Sequence, residues 1–334
     1  MEFVKPLLDW YGANARDLPW RRTRDPYRIW VSEIMLQQTR VAAVIPYYER
    51  FLEALPDVAA LSAVEEDVLH KLWEGLGYYS RARNLKRAAI QVMEDLSGEV
   101  PTQYNKLITL PGIGEYTAGA VASIAGGEPV PAVDGNVLRV WARLNNDPSD
   151  VALPQTKAAF REAIARILPR ERPGAFNAAM MELGAMVCVP NGPPQCGGCP
   201  LGRLCQGCRA GVAARLPNKT GKKARRVEEK TVFALSKEGG YAGYRRGDRG
   251  LLAGLWQLPD VPGYLGAEAA LEQLCAWGAR PTGELRAYAR KHIFTHVEWH
   301  MQVYAAEVEL PALPGGWRWL DESCALPTAY RVCL

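Results

Sequence analysis

The sequence predicts a protein of two domains, an all-α domain followed by a smaller α+β domain. The chain has 334 residues, which is enough for two domains of ordinary size. Its first part shows short helical patterns punctuated by Pro and Gly, whereas its last part shows strand patterns. Hydrophobic residues make up 48% and charged residues 23%, values typical of a globular protein. We therefore place a helical domain at 1–210, a basic linker at 211–229 and an α+β domain at 230–334.

The helices of the first domain are predicted from their caps and their periodicity. Asp25 followed by Pro26 is a favourable N-cap and first-turn pair, and it opens a helix that runs through Glu33. Thr39 is expected to cap the next helix. Further helices are predicted at 65–74, 82–96, 116–125 and 157–167. Many short helices joined by brief turns indicate an all-α domain.

The second domain opens with a hairpin pattern. The stretch T-V-F-A-L-S is followed by Gly239-Gly240 and then by Y-A-G-Y-R-R, which predicts two strands joined by a tight turn. Residues 297–305 alternate between apolar and polar side chains, so we expect a strand with one buried face. The apolar face would carry Val297, Trp299, Met301, Val303 and Ala305, and the polar face Glu298, His300, Gln302 and Tyr304. Residues 267–276 show a helical pattern. Strands and helices in this order predict an α+β domain.

Charge is concentrated in one segment. The formal net charge is only +4, but residues 209–230 carry eight basic and two acidic side chains. A polyanionic partner is compatible with this segment, and so is a solvated linker. The N-terminal M-E-F-V-K-P-L-L-D-W has no apolar signal-peptide core, and no later apolar run is long enough to span a membrane. We expect a cytoplasmic protein.

Five of the eight cysteines fall within one short stretch. Clustering in a chain without a secretory signal favours metal binding over disulfide bonds. Two C-x2-C pairs would suit tetrahedral zinc, and four thiolates would equally suit an iron–sulfur cluster. Both alternatives are open on spacing alone. The five residues are Cys188, Cys196, Cys199, Cys205 and Cys208.

Glu33 is the only carboxylate in the apolar run Ile29–Leu36. Burial disfavours the charged form of a carboxyl group and raises its pKa. Such a group holds a proton at neutral pH and acts as a general acid. The alternative is a helix residue whose carboxylate reaches solvent.

The stretch L-P-G-I-G at 110–114 lies between two predicted helices. Gly112 and Gly114 flank one apolar residue, which predicts a tight turn with exposed backbone N–H groups. Beside a helix N-terminus such groups bind anions, and a DNA phosphate is a natural ligand. A plain helix-to-helix turn is the alternative. Twenty residues later, V-D-G-N places Asp134 and Asn136 in a second Gly-containing turn.

These motifs together resemble the helix-hairpin-helix DNA glycosylases that carry an iron–sulfur cluster. Three longer stretches are similar to the MutY-type adenine DNA glycosylases, which remove adenine mispaired with 8-oxoguanine. The resemblance implies an all-α helix-hairpin-helix domain with an iron–sulfur cluster loop, followed by an α+β Nudix-like domain. The three stretches are L-P-W-R at 18–21, S-E-I-M-L-Q-Q-T-R-V at 32–41 and W-E-G-L-G-Y-Y-S-R-A-R-N-L at 73–85.

The resemblance also implies catalytic roles. Glu33 would protonate N7 of the adenine, while Asp134 would stay ionised and stabilise the oxocarbenium ion or briefly bond to it. Asn136 and Tyr116 would orient this pair. The endonuclease III branch places a nucleophilic lysine at the position of Tyr116, so no strand cleavage is expected here.

The same resemblance implies how DNA would be held. Gln38 and Tyr78 would enter the duplex beside the lesion while the adenine is flipped out of the stack. The turn H-I-F-T-H resembles a lesion-recognition turn in which Phe294, Thr295 and His296 would read 8-oxoguanine, with Thr295 in place of a serine. The residues expected to line the adenine pocket are Arg16, Leu18, Trp20, Arg21 and Val41.

The sequence departs from the family pattern at three places. Ala178 stands where a Gln or Glu commonly touches adenine, which weakens the inference of adenine specificity. Seven residues, rather than six, separate Cys188 from Cys196. G-L-L-A-G-L-W-Q-L-P at 250–259 resembles the Nudix core, but the glutamate-rich metal motif is missing, so pyrophosphate hydrolysis is not expected. The resemblance favours [4Fe–4S] ligands at Cys188, Cys196, Cys199 and Cys205.

The resemblance thus implies a monomeric, monofunctional adenine DNA glycosylase of base excision repair. Its partner would be double-stranded DNA with A:8-oxoguanine or A:G mispairs, which places it at the nucleoid and away from membranes. Two alternatives stay open. One is a bifunctional or thymine-mismatch glycosylase of the same superfamily, and the other is a catalytically silent protein that binds damaged DNA.

Overall fold

The computed structural model describes residues 2–221 and 224–334, and the chain divides into two compact units. The first unit comprises residues 2–64 and 83–221. The second comprises residues 65–82 and 224–334. Lys222 and Lys223, which belong to the predicted basic linker, lie outside the described residues.

The first unit is mainly helical, whereas the second contains a few helices beside its strands. Within the described part of the chain, no helix is long and apolar enough to cross a membrane. Short 3₁₀ turns lie at Pro19–Arg21, Cys196–Gly198 and Ala213–Arg215. The α-helices are α1 (Val4–Asn14), α2 (Pro26–Leu36), α3 (Val41–Ala54), α4 (Val58–Ala63), α5 (Glu66–Leu72), α6 (Ser80–Asp95), α7 (Tyr104–Leu107), α8 (Glu115–Ile124), α9 (Gly135–Leu144), α10 (Pro154–Ile167), α11 (Pro173–Met186), α12 (Gln206–Arg209), α13 (Ala267–Ala276) and α14 (Thr328–Arg331).

The start of α2 confirms the predicted cap, whereas the start of α3 does not. The side chain of Asp25 accepts a hydrogen bond from the backbone N–H of Tyr27, with a proline at the first helical position. Thr39 does not cap α3. The residue before the helix is Arg40, whose backbone is extended and whose side chain makes no capping bond, so α3 begins at Val41.

One apolar core of the first unit forms between α1, α9, α10 and α11. Each helix contributes fully buried apolar side chains, among them Leu7, Val137, Ile164 and Leu183. Burial of such side chains stabilises each by roughly 1.5–3 kcal/mol relative to exposure. This packing fixes the N-terminus of α9 and one face of α11, which both carry candidate site residues.

Helices α9 and α11 approach each other closely at Gly184. A Cβ atom at this position would lie 2.6 Å from Cβ of Asn136, a distance that real side chains do not adopt. The absence of a side chain therefore lets Asn136 sit directly against α11. A larger residue here would push the start of α9 away.

The second unit is built on a mixed sheet with the strand order β3-β2-β1-β7-β5, in which β4 pairs with β1, β6 with β7, and β8 with β2. Strands β1 and β7 run parallel from the pair Arg226 and Val297 onward, and the other pairs are antiparallel. The predicted hairpin corresponds to β1 and β2. Strand β1 begins inside the predicted linker. The strands are β1 (Arg226–Lys237), β2 (Gly240–Arg245), β3 (Trp256–Gln257), β4 (Asp260–Pro262), β5 (Arg280–Pro281), β6 (Arg286–Ile293), β7 (Val297–Glu309) and β8 (Trp317–Leu320).

Strand β7 is buried on both faces over much of its length. Val297, Trp299 and Met301 belong to one apolar cluster, as the alternation predicted. Tyr304 was expected on the polar face but is also buried, because a second apolar cluster with α13 covers that side of the sheet. A strand between two layers loses the alternation of a half-buried one.

Residues 65–82 belong structurally to the second unit, whereas the sequence assigns them to the first domain. Glu74 accepts a hydrogen bond of 2.9 Å from the backbone N–H of Leu326 and forms an ion pair with Arg331. Asp67 forms an ion pair with Arg245 on β2. These contacts join residues 65–82 to strand β2 and to residues beside and within α14, which follow in the sequence by more than 150 residues.

Candidate active site

A cavity of about 910 Å³ opens in the first unit. It collects side chains from the N-terminal segment, α2, the start of α3, α8, the start of α9 and α11. Residues that are far apart in sequence therefore meet around one space. The predicted site residues that line it are Arg16, Leu18, Trp20, Arg21, Glu33, Gln38, Val41, Tyr116, Asp134 and Asn136.

Glu33 lies in the wall of this cavity with only 5% of its surface exposed. The hydroxyl of Tyr116 donates a hydrogen bond to Oε2 of Glu33 at 2.5 Å. Burial raises the pKa of Glu33 to about 7, since it outweighs the hydrogen bond from Tyr116, and the nearby charge of Asp134 adds to the rise. Arg21 acts in the opposite direction. The carboxyl group is thus able to hold or release a proton near neutral pH.

Tyr116 is half-buried beside Glu33. Its hydroxyl also lies 3.2 Å from Sδ of Met181. Burial raises the pKa of Tyr116 well above its ordinary value, so the hydroxyl stays protonated and acts as a donor. Among the described residues, no lysine lines the cavity.

Asp134 is the N-cap residue of α9. One carboxylate oxygen accepts the backbone N–H of Val137 at 2.8 Å, and the other accepts the side-chain amide of Asn136 at 2.7 Å. Burial raises the pKa of Asp134, while these N–H donors and the charge of Arg139 oppose the rise. Asp134 thus receives N–H donors at a helix N-terminus, which favour the carboxylate, whereas Glu33 receives one hydroxyl.

Asn136 is itself held by Arg139, a residue that the sequence analysis did not single out. Nη2 of Arg139 donates to Oδ1 of Asn136 at 2.7 Å, and Nε donates to the backbone carbonyl of Cys188 at 2.7 Å. A chain of hydrogen bonds therefore runs from Asp134 to the first cysteine of the cluster. The signal in the sequence was an arginine inside the apolar helix V-L-R-V-W.

Arg16 and Arg21 share one buried partner, Glu182. Each arginine makes a two-bond contact with its carboxylate, at 2.8 and 2.7 Å for Arg16 and at 2.9 and 2.6 Å for Arg21. The backbone N–H of Arg16 adds a fifth bond at 3.0 Å. Although burial opposes it, this set of donors lowers the pKa of Glu182 to about 2. Glu182 is not among the site residues predicted from the sequence.

One part of the cavity wall is apolar. Leu18 and Trp20 are buried, and the ring of Trp20 packs edge-on against Tyr48 at 5.4 Å. Val41 lies at the start of α3, and Ala178 on α11 also faces the cavity. This part of the wall suits the flat, weakly polar body of a base.

Gln38 and Tyr78 have left-handed backbones, with φ of 60° and 47°. Residues other than glycine adopt this conformation at a cost of about 1–3 kcal/mol, and such residues cluster at functional sites. Both side chains are exposed, Tyr78 to 44%. The strained backbone therefore presents each predicted duplex-entering side chain to solvent, Gln38 from the first unit and Tyr78 from the second.

The turn between α7 and α8 contains the predicted anion-binding glycines. Gly112 has φ of 77°, and a Cβ there would lie 2.7 Å from Cβ of Asn84, so only glycine fits. Gly114 is the N-cap residue of α8. Within the described residues, the backbone N–H groups of Gly112 and Gly114 have no internal acceptor. They are therefore available to an external anion such as a phosphate.

The predicted lesion-recognition turn lies in the second unit, between β6 and β7. Oγ1 of Thr295 lies 2.5 Å from the hydroxyl of Tyr78, so two predicted DNA-contacting residues meet there. The ring of Phe294 packs edge-on against Trp299 at 4.9 Å, and that packing holds part of the ring in the core. His296 is exposed.

The five clustered cysteines line one small cavity. All are free thiols. Burial, reinforced by the neighbouring thiols, raises the pKa of both Cys196 and Cys199 to about 11, so a bound cation would have to displace their protons. Among the described residues, no group of three or more Cys, His, Asp or Glu side chains is arranged so that it could hold a metal ion. The cavity is lined by Cys188, Cys196, Cys199, Cys205 and Cys208.

The chain is similar in sequence to known families and proteins. Residues 31–170 match the HhH-GPD superfamily of base excision DNA repair proteins, and residues 231–334 match the NUDIX domain. The chain is 35% identical to the adenine DNA glycosylase of Rattus norvegicus, over 98% of the chain and 76% of that protein. It is also 35% identical to the adenine DNA glycosylase of Homo sapiens, over 99% of the chain and 73% of that protein.

Solved structures show the same fold for much of the chain. A thermostable thymine-DNA glycosylase is 30% identical with a TM-score of 0.57, covering 63% of this chain and 96% of its own. Endonuclease III, trapped in a covalent intermediate with DNA, is 26% identical with a TM-score of 0.54 over the same shares. The predicted fold class, a helical helix-hairpin-helix domain followed by a strand-rich Nudix-like domain, is therefore confirmed.

Proposed function

This chain belongs to the adenine DNA glycosylase family, and from that premise we propose that it excises adenine opposite 8-oxoguanine or guanine in duplex DNA without cutting the strand. The observation that supports it most is the buried carboxyl of Glu33, bonded to Tyr116 and facing Asp134 in a cavity large enough for a base. The reaction is hydrolysis of the N-glycosidic bond.

Glu33 is the proposed general acid. The adenine anion is a poor leaving group unless a ring nitrogen is protonated first. A carboxyl group with a pKa of about 7 carries that proton at neutral pH. The Tyr116 hydroxyl fixes the rotamer of Glu33 through its 2.5 Å bond. The proton is thus held on a carboxyl group whose residue is only 5% exposed.

Asp134 is the proposed stabiliser of the cationic sugar. Departure of the base leaves an oxocarbenium ion, and a carboxylate close to it lowers the energy of that state or bonds to it briefly. The amide of Asn136 and the backbone N–H of Val137 keep the carboxylate in place. Water then completes the hydrolysis.

Among the described residues that line the cavity, no lysine offers an amine nucleophile for strand cleavage. A glycosylase that also cleaves the strand uses an amine nucleophile, and here the corresponding position holds Tyr116. We therefore infer a monofunctional enzyme. The abasic product would break only when alkali is added.

We propose that the protein contacts DNA at three places. The N–H groups of Gly112 and Gly114 are proposed to bind a backbone phosphate. Gln38 and Tyr78 are proposed to enter the duplex, and the turn around Thr295 is proposed to read 8-oxoguanine. A DNA substrate implies a location at the nucleoid and requires no second copy of the chain.

We also propose that the clustered cysteines hold a [4Fe–4S] group. Cys188, Cys196, Cys199 and Cys205 all line the same small cavity, and thiolates are the usual ligands of such a group. Once bound, the group would tie the loop after α11 into one rigid piece. Arg143 supports this loop by donating to the carbonyls of Cys188 and Val189 at 3.1 and 3.0 Å.

Single-turnover base release tests the proposed function. Duplexes carry A opposite 8-oxoguanine, A opposite G, or T opposite G, and strand breaks are read with and without alkali. We expect release of adenine only, and the fastest release opposite 8-oxoguanine. Strand breaks should appear only after alkali, because the described cavity residues offer an acid and no amine.

Other outcomes would each contradict one part of the proposal. Equal rates opposite 8-oxoguanine and G would refute the role of the Phe294–His296 turn. Strand breaks without alkali would refute the monofunctional assignment. Release of thymine instead of adenine would show that the cavity beside Ala178 accepts a pyrimidine, as the similarity to a thymine-DNA glycosylase allows.

A further inference from the structure

Glu182 is buried in the wall of the active-site cavity, with 1% of its surface exposed. A buried carboxylate is costly unless it is fully hydrogen-bonded. Glu182 meets that condition with five N–H donors, three on Oε1 and two on Oε2. All five come from Arg16 and Arg21, so the contact is a single three-residue cluster.

This cluster contains two positive charges and one negative charge next to the general acid. Arg21 is its member that acts on Glu33. The guanidinium of Arg21 lies between Glu182 and the ring of Tyr11, 5.6 Å from the ring centroid. Its position and its effective charge therefore depend on Glu182.

The charged and titratable groups that act on Glu33 come from three other parts of the chain. Tyr116 on α8 donates to Glu33, Asp134 at the start of α9 repels its charge, and Arg21 in the 3₁₀ turn attracts its charge. Of these, Arg21 is the group whose charge is offset by a carboxylate on α11.

We propose that Glu182 is a positioning residue for base release: it holds Arg21 in the cavity wall and offsets its charge, so that Glu33 keeps its proton at neutral pH. The inference rests on the proposed function of Glu33 as the general acid. Loss of the Glu182 charge would leave two cations with no carboxylate in the cluster. Arg21 would then stabilise the ionised form of Glu33 more strongly, and the acid would be deprotonated at a lower pH.

The test compares the pH dependence of single-turnover adenine release for the full chain and for Glu182→Gln, which keeps the size of the side chain. We expect the fall in rate at high pH to begin about one pH unit lower, which makes the variant about tenfold slower at alkaline pH and close to wild type in acid. Glu182→Asp keeps the charge and should keep the wild-type profile. Glu162→Gln, which removes the partner of Arg166 on the exposed face of α10, is the matched control.

An unchanged profile shape in Glu182→Gln, with or without a uniform loss of rate, would overturn the proposal, because a purely structural role lowers the rate equally at every pH. If Glu182→Gln does not fold, Arg21→Gln gives the second test. That variant removes the cation and should move the fall in rate to higher pH, and an unmoved fall would also overturn the proposal.

A readout without substrate separates this inference from the proposed function. Infrared titration follows the carboxyl band that disappears in Glu33→Gln. A band that titrates at lower pH in Glu182→Gln supports the coupling even if the enzyme releases no adenine. A band that does not move overturns the coupling even if adenine is released.

Discussion

Replacement of Glu33 by glutamine is expected to lower adenine release by about 10²–10⁴-fold while leaving DNA binding intact, because general acid catalysis contributes about this much. Glutamine keeps the volume and accepts the hydrogen bond from Tyr116, but it carries no transferable proton. The reacting adenine would have to leave unprotonated. Single-turnover release from an A:8-oxoguanine duplex, at enzyme concentrations that saturate binding, measures the effect.

The control for this variant is Glu162→Gln, an exposed glutamate on α10 with the same chemical change. It should release adenine at the wild-type rate. Release by Glu33→Gln within a few fold of wild type would show that another group delivers the proton, and the assignment of the acid would then be wrong.

The same variant is expected to be more stable than the wild type at neutral and alkaline pH. The pKa of Glu33 is about 7 in the folded protein and 4.5 in its ordinary range. Because the pKa of Glu33 is raised in the folded state, the folded protein binds this proton more tightly than the unfolded chain does. The resulting contribution of Glu33 to the free energy of unfolding is complete below about pH 4.5. It is lost as the pH rises toward 7.

The difference between 7 and 4.5 amounts to about 3 kcal/mol, at 1.36 kcal/mol for each pKa unit. Glutamine has no charge to bury, so its stability should not fall over this interval. Parallel urea unfolding at several pH values measures the free energy of unfolding of both proteins. We expect their difference to grow by about 3 kcal/mol in favour of Glu33→Gln and then to level off above pH 7.

A difference that stays constant with pH would show that Glu33 is ionised as easily in the folded protein as in the unfolded chain. The predicted gain in stability and the predicted loss of activity arise from one cause. A buried carboxyl group destabilises the fold at neutral pH but supplies the proton for catalysis. Such a loss of stability in favour of activity is common at catalytic sites.

Glu33 is recognisable from the sequence because it is a single carboxylate in an apolar helix. Glu182 has the same signature in F-N-A-A-M-M-E-L-G, yet its pKa moves the opposite way. The pattern predicts burial but not the partner. Glu33 faces a hydroxyl and a second carboxylate, whereas Glu182 faces two arginines located some 160 residues earlier. Only the folded chain shows which charges meet.

The fold followed the same division between local and long-range information. The cap at Asp25 and the hairpin at Gly239-Gly240 depend on neighbouring residues, and both predictions are confirmed. The burial of Tyr304 depends on a helix that covers the far face of the sheet. The attachment of residues 65–82 to the second unit depends on ion pairs with residues far along the chain. Periodicity carries no record of such contacts.

The pH dependence of single-turnover adenine release by the unmodified chain tests the central claim, that a buried Glu33 supplies the proton. We expect the rate to be highest below pH 7 and to fall about tenfold for each further pH unit, since the reactive form of Glu33 is the protonated one. Acid conditions that protonate Asp134 would lower the rate again. A rate that stays level from neutral to strongly alkaline pH would contradict the account, because it would mean that no group with the pKa of Glu33 takes part in base release.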